Sequence, residues 1–165
     1  MTAGVVRGGA CAIREARWPQ DRHVVEDLFR EYVAGLGVDV SFQNIEQEFA
    51  TLPGRYARPS GCVLLAWGDE EPAGVVARRT IGSGVAEMKR LYVRRGWRGF
   101  GFGRVLALAI VADAREAGLR SIVLDTLASM QGARALYAGL GFRPIPPYYA
   151  NPLPDVVYLG LDLTE

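Results

Sequence analysis

Between Arg94 and Arg104 the chain reads RRGWRGFGFGR, with arginines at 94, 95, 98 and 104 set among glycines at 96, 99, 101 and 103. Residues of these types at this spacing can bind an anion. Glycine has no Cβ, so its backbone can approach a ligand closely and can enter turns closed to other residues. Where such a loop runs into a helix, the first helical N–H groups have no partner within the helix, and the helix dipole is positive there. The stretch Arg98-Gly99-Phe100-Gly101-Phe102-Gly103, with Arg104 beside it, is therefore read as a phosphate cradle. Spacing excludes two other cradles. A dinucleotide fingerprint needs its third glycine where this chain has Arg104, and a P-loop needs a Lys followed by Ser or Thr, which this loop lacks.

The cradle needs a strand to feed it and a helix to receive it. Val85–Val93 is rich in β-formers, and from Val105 to Ala117 the composition turns to helix formers, with Gly118 as the natural residue after the helix end. Upstream, residues 61–67 and 74–80 read as a hairpin, and a turn at 82–84 leads into Val85–Val93, giving three consecutive antiparallel strands. Residues 121–125 (SIVLD) are reached through a helical crossover, so that strand runs parallel to its predecessor. A helix over 131–140 stops at Gly141, and strands at 142–145 and 156–161 close the chain around PIPPYYANPLP. At the other end, a strand starts at Cys11. A helix from Asp21 to about Leu36 places Val24, Val25, Leu28, Phe29 and Tyr32 on one side, and a shorter helix spans 41–51. His23, the single histidine, reads as a solvated helix residue. The order β-α-α-β-β-β-α-β-α-β-β describes an α/β fold, a mixed and mostly antiparallel sheet with helices on both faces. Residues 1–9 are expected to be a disordered tail and 10–165 one domain.

Composition narrows the partners. The chain has 165 residues, half of them apolar, with 19 Lys and Arg against 18 Asp and Glu, so no overall charge points to nucleic acid or to a membrane. The cations gather between Lys89 and Arg104, enough for one polyanionic ligand. Cys11 and Cys62 sit in apolar runs and read as small core residues in a reducing compartment rather than as a disulfide. One histidine and no ligand cluster leave metal unnecessary, and no signal peptide or membrane span is apparent, so a cytoplasmic protein is expected.

A second motif lies far from the cradle: Ala133-x-x-Leu136-Tyr137-x-x-x-Gly141-Phe142. The R-x-x-G-x-G loop in its strand-loop-helix setting, followed by this segment, resembles the GNAT acetyltransferases, and the resemblance extends over residues 11–161. EMKRLYV, LDTLASM and PYYANP further resemble a subgroup of small bacterial-type members. The resemblance implies that the parallel strand pair splays and that acetyl-CoA is the acyl donor. It also implies that the carrier's pyrophosphate lies on Arg98 to Arg104 and that the backbone of Leu91, Tyr92 and Val93 contacts pantetheine, with the Leu91 N–H as oxyanion donor. Tyr137 corresponds to the family's acid toward the departing thiolate, its phenol pKa of about 10 open to being lowered in place. Glu87 stands where some members carry a glutamate base, and it can equally be a structural charge paired with Lys89 or Arg78. Strand alternation puts Glu87, Lys89, Leu91 and Val93 on one face, with Met88, Arg90 and Tyr92 on the other. The sequence departs from the pattern at Met130, where many relatives have an asparagine contacting the carrier; Ser129 is the polar candidate to replace it. The turn Arg95-Gly96-Trp97 stands where a proline-led one is common.

The acceptor is expected between the first two helices and the last hairpin, with Phe29, Tyr32, Phe42 and Gln43 on one wall, Tyr148, Tyr149 and Asn151 on the other, and Arg90 able to hold a carboxylate. The reading is direct acetyl transfer to a primary amine of a small or amino-acid-like metabolite. Neither cysteine has a base beside it for a covalent route. A protein or peptide N-acetyltransferase and a non-catalytic acyl-CoA sensor are the alternatives, and the edge strand of the closing hairpin allows a homodimer.

Overall fold

Strands β2 (Gly61–Gly68), β3 (Glu71–Gly82) and β4 (Val85–Val93) are buried along most of their length on both faces, which requires cover on each side of the sheet. The computed structural model describes residues 11–164, and the expected tail over 1–9 lies outside them. Around these three strands the sheet adds β1 (Cys11–Glu15), β5 (Ser121–Leu127), β6 (Arg143–Pro144) and β7 (Val156–Asp162), in the order β1-β2-β3-β4-β5-β7-β6. Every neighbouring pair is antiparallel except β4–β5. Helices α1 (Arg22–Gly35) and α2 (Ile45–Ala50) cover one face over Val63, Leu65, Val75 and Ala77. The other face, with Leu64, Val76, Met88, Ile122 and Leu124, is covered by α3 (Phe102–Glu116) and α4 (Gln131–Gly139).

Two departures from the expected strand pattern shape the centre. In β4 the register steps from Ala77↔Lys89 to Val75↔Tyr92, so Arg90 and Leu91 together oppose one residue of β3. Arg90 takes a left-handed backbone, φ 61°, which costs a non-glycine residue about 1–2 kcal/mol. This bulge breaks the expected alternation. Glu87, Lys89 and Tyr92 face the α1/α2 side, whereas Met88, Leu91 and Val93 face α3 and α4. The β4–β5 pairing, meanwhile, runs only from Val85↔Ser121 to Glu87↔Val123, while β5 stays paired with β7 as far as Leu127↔Val156. Beyond Glu87 the parallel pair diverges, leaving a gap through the sheet.

Elsewhere the boundaries shift for local reasons. The helix expected over 41–51 breaks at Asn44 (φ 55°) into a 3₁₀ turn, Ser41–Gln43, and the short α2. α3 begins at Phe102, three residues earlier than its apolar run, because Gly101 supplies the turn into it. Of the strand expected at 142–145, Arg143–Pro144 forms β6 and Ile145 adds one backbone bond to the Tyr158 carbonyl (2.9 Å), while Phe142 belongs to the end of α4.

Candidate active site

Trp97 fixes the entrance to the glycine loop. Its buried ring stacks on Phe102 (centroids 5.5 Å apart, planes at 24°), and a side chain on Gly68 would collide with it. Between these anchors Gly99 (φ 86°) and Gly101 (φ 85°) need the conformation that glycine adopts freely, and a Cβ at either would project into open space. No described residue accepts a hydrogen bond from the N–H groups of Gly99 to Gly103. The loop therefore presents unpaired donors to an open groove, which fits a pyrophosphate-bearing ligand. That groove, about 620 Å³, runs along Leu91, Tyr92 and Val93 of β4 to Arg98, the loop and Leu136 of α4. Arg98 donates from Nε to the Val93 carbonyl (2.8 Å) and lies over the Tyr92 ring.

Several expected carrier contacts are placed differently. The Phe102 ring is core, so its backbone alone serves the loop, and Phe100 is exposed outside the groove's lining. Arg104 is exposed on the first turn of α3, also outside that lining. Ser129 is exposed and outside the groove's lining, whereas Met130 turns inward and lines the groove, its Sδ accepting from Thr126 Oγ1 (3.6 Å).

The groove opens into the gap between β4 and β5, where Leu91, Tyr137, Lys89 and Asp125 meet. The second sequence motif explains how Tyr137 is held there. α4 ends in a Schellman motif: Gly141 (φ 97°) donates to the Ala138 carbonyl and Phe142 to that of Tyr137, while the Phe142 ring packs on the Tyr137 ring (centroids 5.6 Å apart). The glycine and phenylalanine thus clamp the tyrosine. Its hydroxyl has no hydrogen-bond partner among the described residues. Burial pushes its phenol up rather than down, so it is a hydrogen-bond donor at neutral pH.

On the α1/α2 side the gap leads to a cavity of about 390 Å³ lined by Gln43, Glu48, Arg79, Glu87, Lys89, Tyr148 and Tyr149. Glu87 is buried, with Oε1 accepting from Arg79 Nε (2.8 Å) and Oε2 from the Tyr148 hydroxyl (2.6 Å). Burial alone would raise its pKa, but Lys89, Tyr148 and Arg79 outweigh it and hold the carboxyl below its ordinary range. This geometry favours the second of the two readings of Glu87, an ionised structural charge, and its ion-pair partner is Arg79 rather than Lys89 or Arg78. Asp125 accepts through Oδ2 from the Tyr149 hydroxyl (2.5 Å) and Asn151 Nδ2 (3.2 Å).

Two acceptor-wall expectations are corrected. Phe29 is fully buried between Phe49 and Tyr56 and lines neither the groove, the gap nor the cavity. Arg90 is not free to hold a carboxylate, because it grips Glu48 with two nitrogens and Gln43 with a third. Tyr32 lines both groove and gap, Gln43 and Tyr149 line the cavity, and Asn151 lines the gap; the Phe42 side chain lies outside what is described. Sequence reasoning missed Lys89 and Asp125 as site residues. Asp125 had a signal, the one charged residue of β5, whereas Lys89 stands between Glu87 and Arg90 in β4 and had none of its own.

Comparison with known proteins fits this architecture. The model of the acetyltransferase (GNAT) family matches residues 13–142. An uncharacterized N-acetyltransferase of Schizosaccharomyces pombe is 38% identical over 156 residues, spanning 93% of this chain and 96% of its own. Among solved structures, a GNAT-family acetyltransferase from Staphylococcus aureus superposes with a TM-score of 0.75 at 18% identity, over 93% of this chain and 99% of that one. YncA from Salmonella typhimurium, solved with its cofactor acetyl-CoA, gives 0.74 at 20% identity over 94% and 95%. The chain belongs to the GNAT acetyltransferase family and is an acyltransferase.

Proposed function

We propose that the protein transfers the acetyl group of acetyl-CoA to the primary amine of a small, amino-acid-like acceptor, with both substrates bound together. The observation that carries this reading is the series of connected spaces. A groove beside the unpaired N–H cradle and a polar cavity on the other face of the sheet meet in the β4–β5 gap, at Leu91, Lys89 and Tyr137. The acetyl-CoA held by YncA supports the donor. When bound, that donor supplies an acyl group already activated as a thioester. The Gly99–Gly103 N–H groups and Arg98 would hold its pyrophosphate, and the unpaired β4 edge beyond Glu87 its pantetheine. As the amine nitrogen replaces sulfur on the acyl carbon, the Leu91 N–H would stabilise negative charge on the acyl oxygen, the Tyr137 hydroxyl would give its proton to the departing sulfur, and the proton lost by the nitrogen would pass to solvent in the open cavity, from which Tyr137 is reprotonated. Tyr148 and Tyr149 line the cavity and Asn151 the gap, hydrogen-bonding aromatic walls that suit a small polar amine.

The test is thiol release from acetyl-CoA against amino acids, polyamines, aminoglycosides and short peptides. A small amine should respond. Tight CoA binding with no release on any acceptor would support the sensor alternative, and release on peptides alone the protein-acetylating one.

The cradle has its own test. Arg98→Ala should weaken CoA about 3- to 10-fold, by loss of a charge-assisted contact at an exposed site, while leaving dephosphorylated pantetheine fragments unchanged. Calorimetry on both ligands checks this, and equal losses would remove Arg98 from the cradle.

A further inference from the structure

The charged groups around the acceptor cavity pair off almost completely. Arg79 takes Glu87, and Arg90 takes Glu48 with Gln43. Tyr148 occupies the other oxygen of Glu87, and Tyr149 and Asn151 occupy Oδ2 of Asp125. Apart from Arg55, which is exposed to solvent, two groups are left over among the described residues. The Lys89 ammonium, on a residue only 8% exposed, has no hydrogen bond or ion pair among the described residues. Oδ1 of Asp125 likewise accepts nothing from any of them. Lys89 comes from β4 and Asp125 from β5, so they stand across the point where the strands diverge, and both line the gap. Lys89 also lines the adjoining cavity.

The stem of Lys89 is buried while its ammonium opens on the cavity, so it offers half of an ion pair to a carboxylate that enters there. We infer that Lys89 and Asp125 form a clamp for a zwitterion: Lys89 binds the carboxylate of the acceptor and Asp125 Oδ1 its ammonium group, making the acceptor an α-amino acid or a close analogue. The inference rests on the acetyl-transfer reading and narrows its acceptor. It also gives to Lys89 the task that Arg90, already paired, cannot perform. On balance the surroundings of Lys89 work against its charged form. Burial lowers the ammonium pKa, Arg79 and Arg90 lower it further, and Glu87 and Asp125 oppose them; an incoming carboxylate would add to that opposition.

The experiment compares each amino acid with the amine left by removing its carboxylate, as acceptors and as ligands of the CoA-loaded protein followed by NMR. In the wild type, kcat/KM should favour the amino acid by about 100-fold, since a site built around a charged group rejects an analogue lacking it. Lys89→Met should bring that ratio to within a few-fold of one, mainly through KM for the amino acid. It should also leave the fold intact by circular dichroism, because methionine fills the same space. Lys89→Arg should keep part of the preference. Asp125→Asn should weaken both members of each pair. A wild-type ratio near one, a ratio that Lys89→Met does not change, or no detectable amino-acid binding would overturn the clamp. Efficient acetylation of decarboxylated amines would do so while leaving acetyl transfer intact. Amino-acid binding that depends on Lys89, with no amine acetylated, would instead uphold the clamp and reject the transferase reading.

Discussion

Tyr137→Phe should lower kcat about 100-fold while leaving the affinity for acetyl-CoA nearly unchanged, because the substitution removes one hydroxyl and keeps the ring. The ring makes the structural contacts, resting on Phe142 at the capped end of α4, whereas the hydroxyl is offered to the gap with no protein partner among the described residues. Steady-state kinetics with saturating acetyl-CoA would separate the two roles. Weakened donor binding with normal turnover at saturation would make Tyr137 a packing residue. The wild-type pH profile offers a second check. Burial raises the phenol above its ordinary value of 10, so it stays protonated over a wider range, and no loss of turnover attributable to Tyr137 should appear below that pH. An alkaline limb near neutrality that disappears in Tyr137→Phe would contradict this assignment.

The parts of this site that were legible in the sequence are those set by local rules. Glycines 99 and 101 announce backbone conformations that the structure uses, and the A-x-x-L-Y-x-x-x-G-F segment turns out to encode a helix end: glycine for the left-handed residue, phenylalanine for its hydrophobic contact. Element order followed from the same kind of information. What failed was inference along β4. Simple alternation holds only in an unbroken ladder, and nothing in EMKRLYV marks Arg90 as the inserted residue; its left-handed backbone is held by Glu48 and Gln43, more than 40 positions away in sequence. The consequences extend to chemistry. The bulge turns Leu91 and Val93 away from the face of Glu87 and Lys89, and it occupies the arginine that looked free. Glu87 was ambiguous for a related reason, since its partners Arg79 and Tyr148 come from a neighbouring strand and from the loop before β7.

Asp113→Ala should be among the most damaging substitutions away from the site, costing about 3 kcal/mol, because it orphans a buried cation. Arg78 is fully buried beneath α3; its Nε donates to Asp113 Oδ2 at 2.6 Å, and its other two nitrogens have no hydrogen-bond partner among the described residues. The same carboxylate accepts from Arg58, which also holds Glu15, so one aspartate ties α3 to β3, to β1 and to the segment before β2. A lower urea midpoint with an unchanged denaturant slope would report the loss. The double replacement Arg78→Met with Asp113→Leu should recover most of it, since exchanging a buried pair for apolar groups of similar size is often neutral; failure to recover would locate the cost in α3 itself. The pH dependence has a definite sign. Burial would raise the Asp113 pKa, but the hydrogen bonds from Arg58 and Arg78 outweigh it and hold the value below 3.8. Its contribution is therefore complete above that value and is lost as pH falls through the lower folded-state pKa, so the acid limb of wild-type stability below about pH 4 should be shallower in Asp113→Ala. The network also bears on the acceptor side. Arg78 faces α3 while the next residue, Arg79, faces the cavity and holds Glu87, so a β3 that shifted after loss of Asp113 would disturb the Arg79–Glu87 pair beside the acceptor cavity.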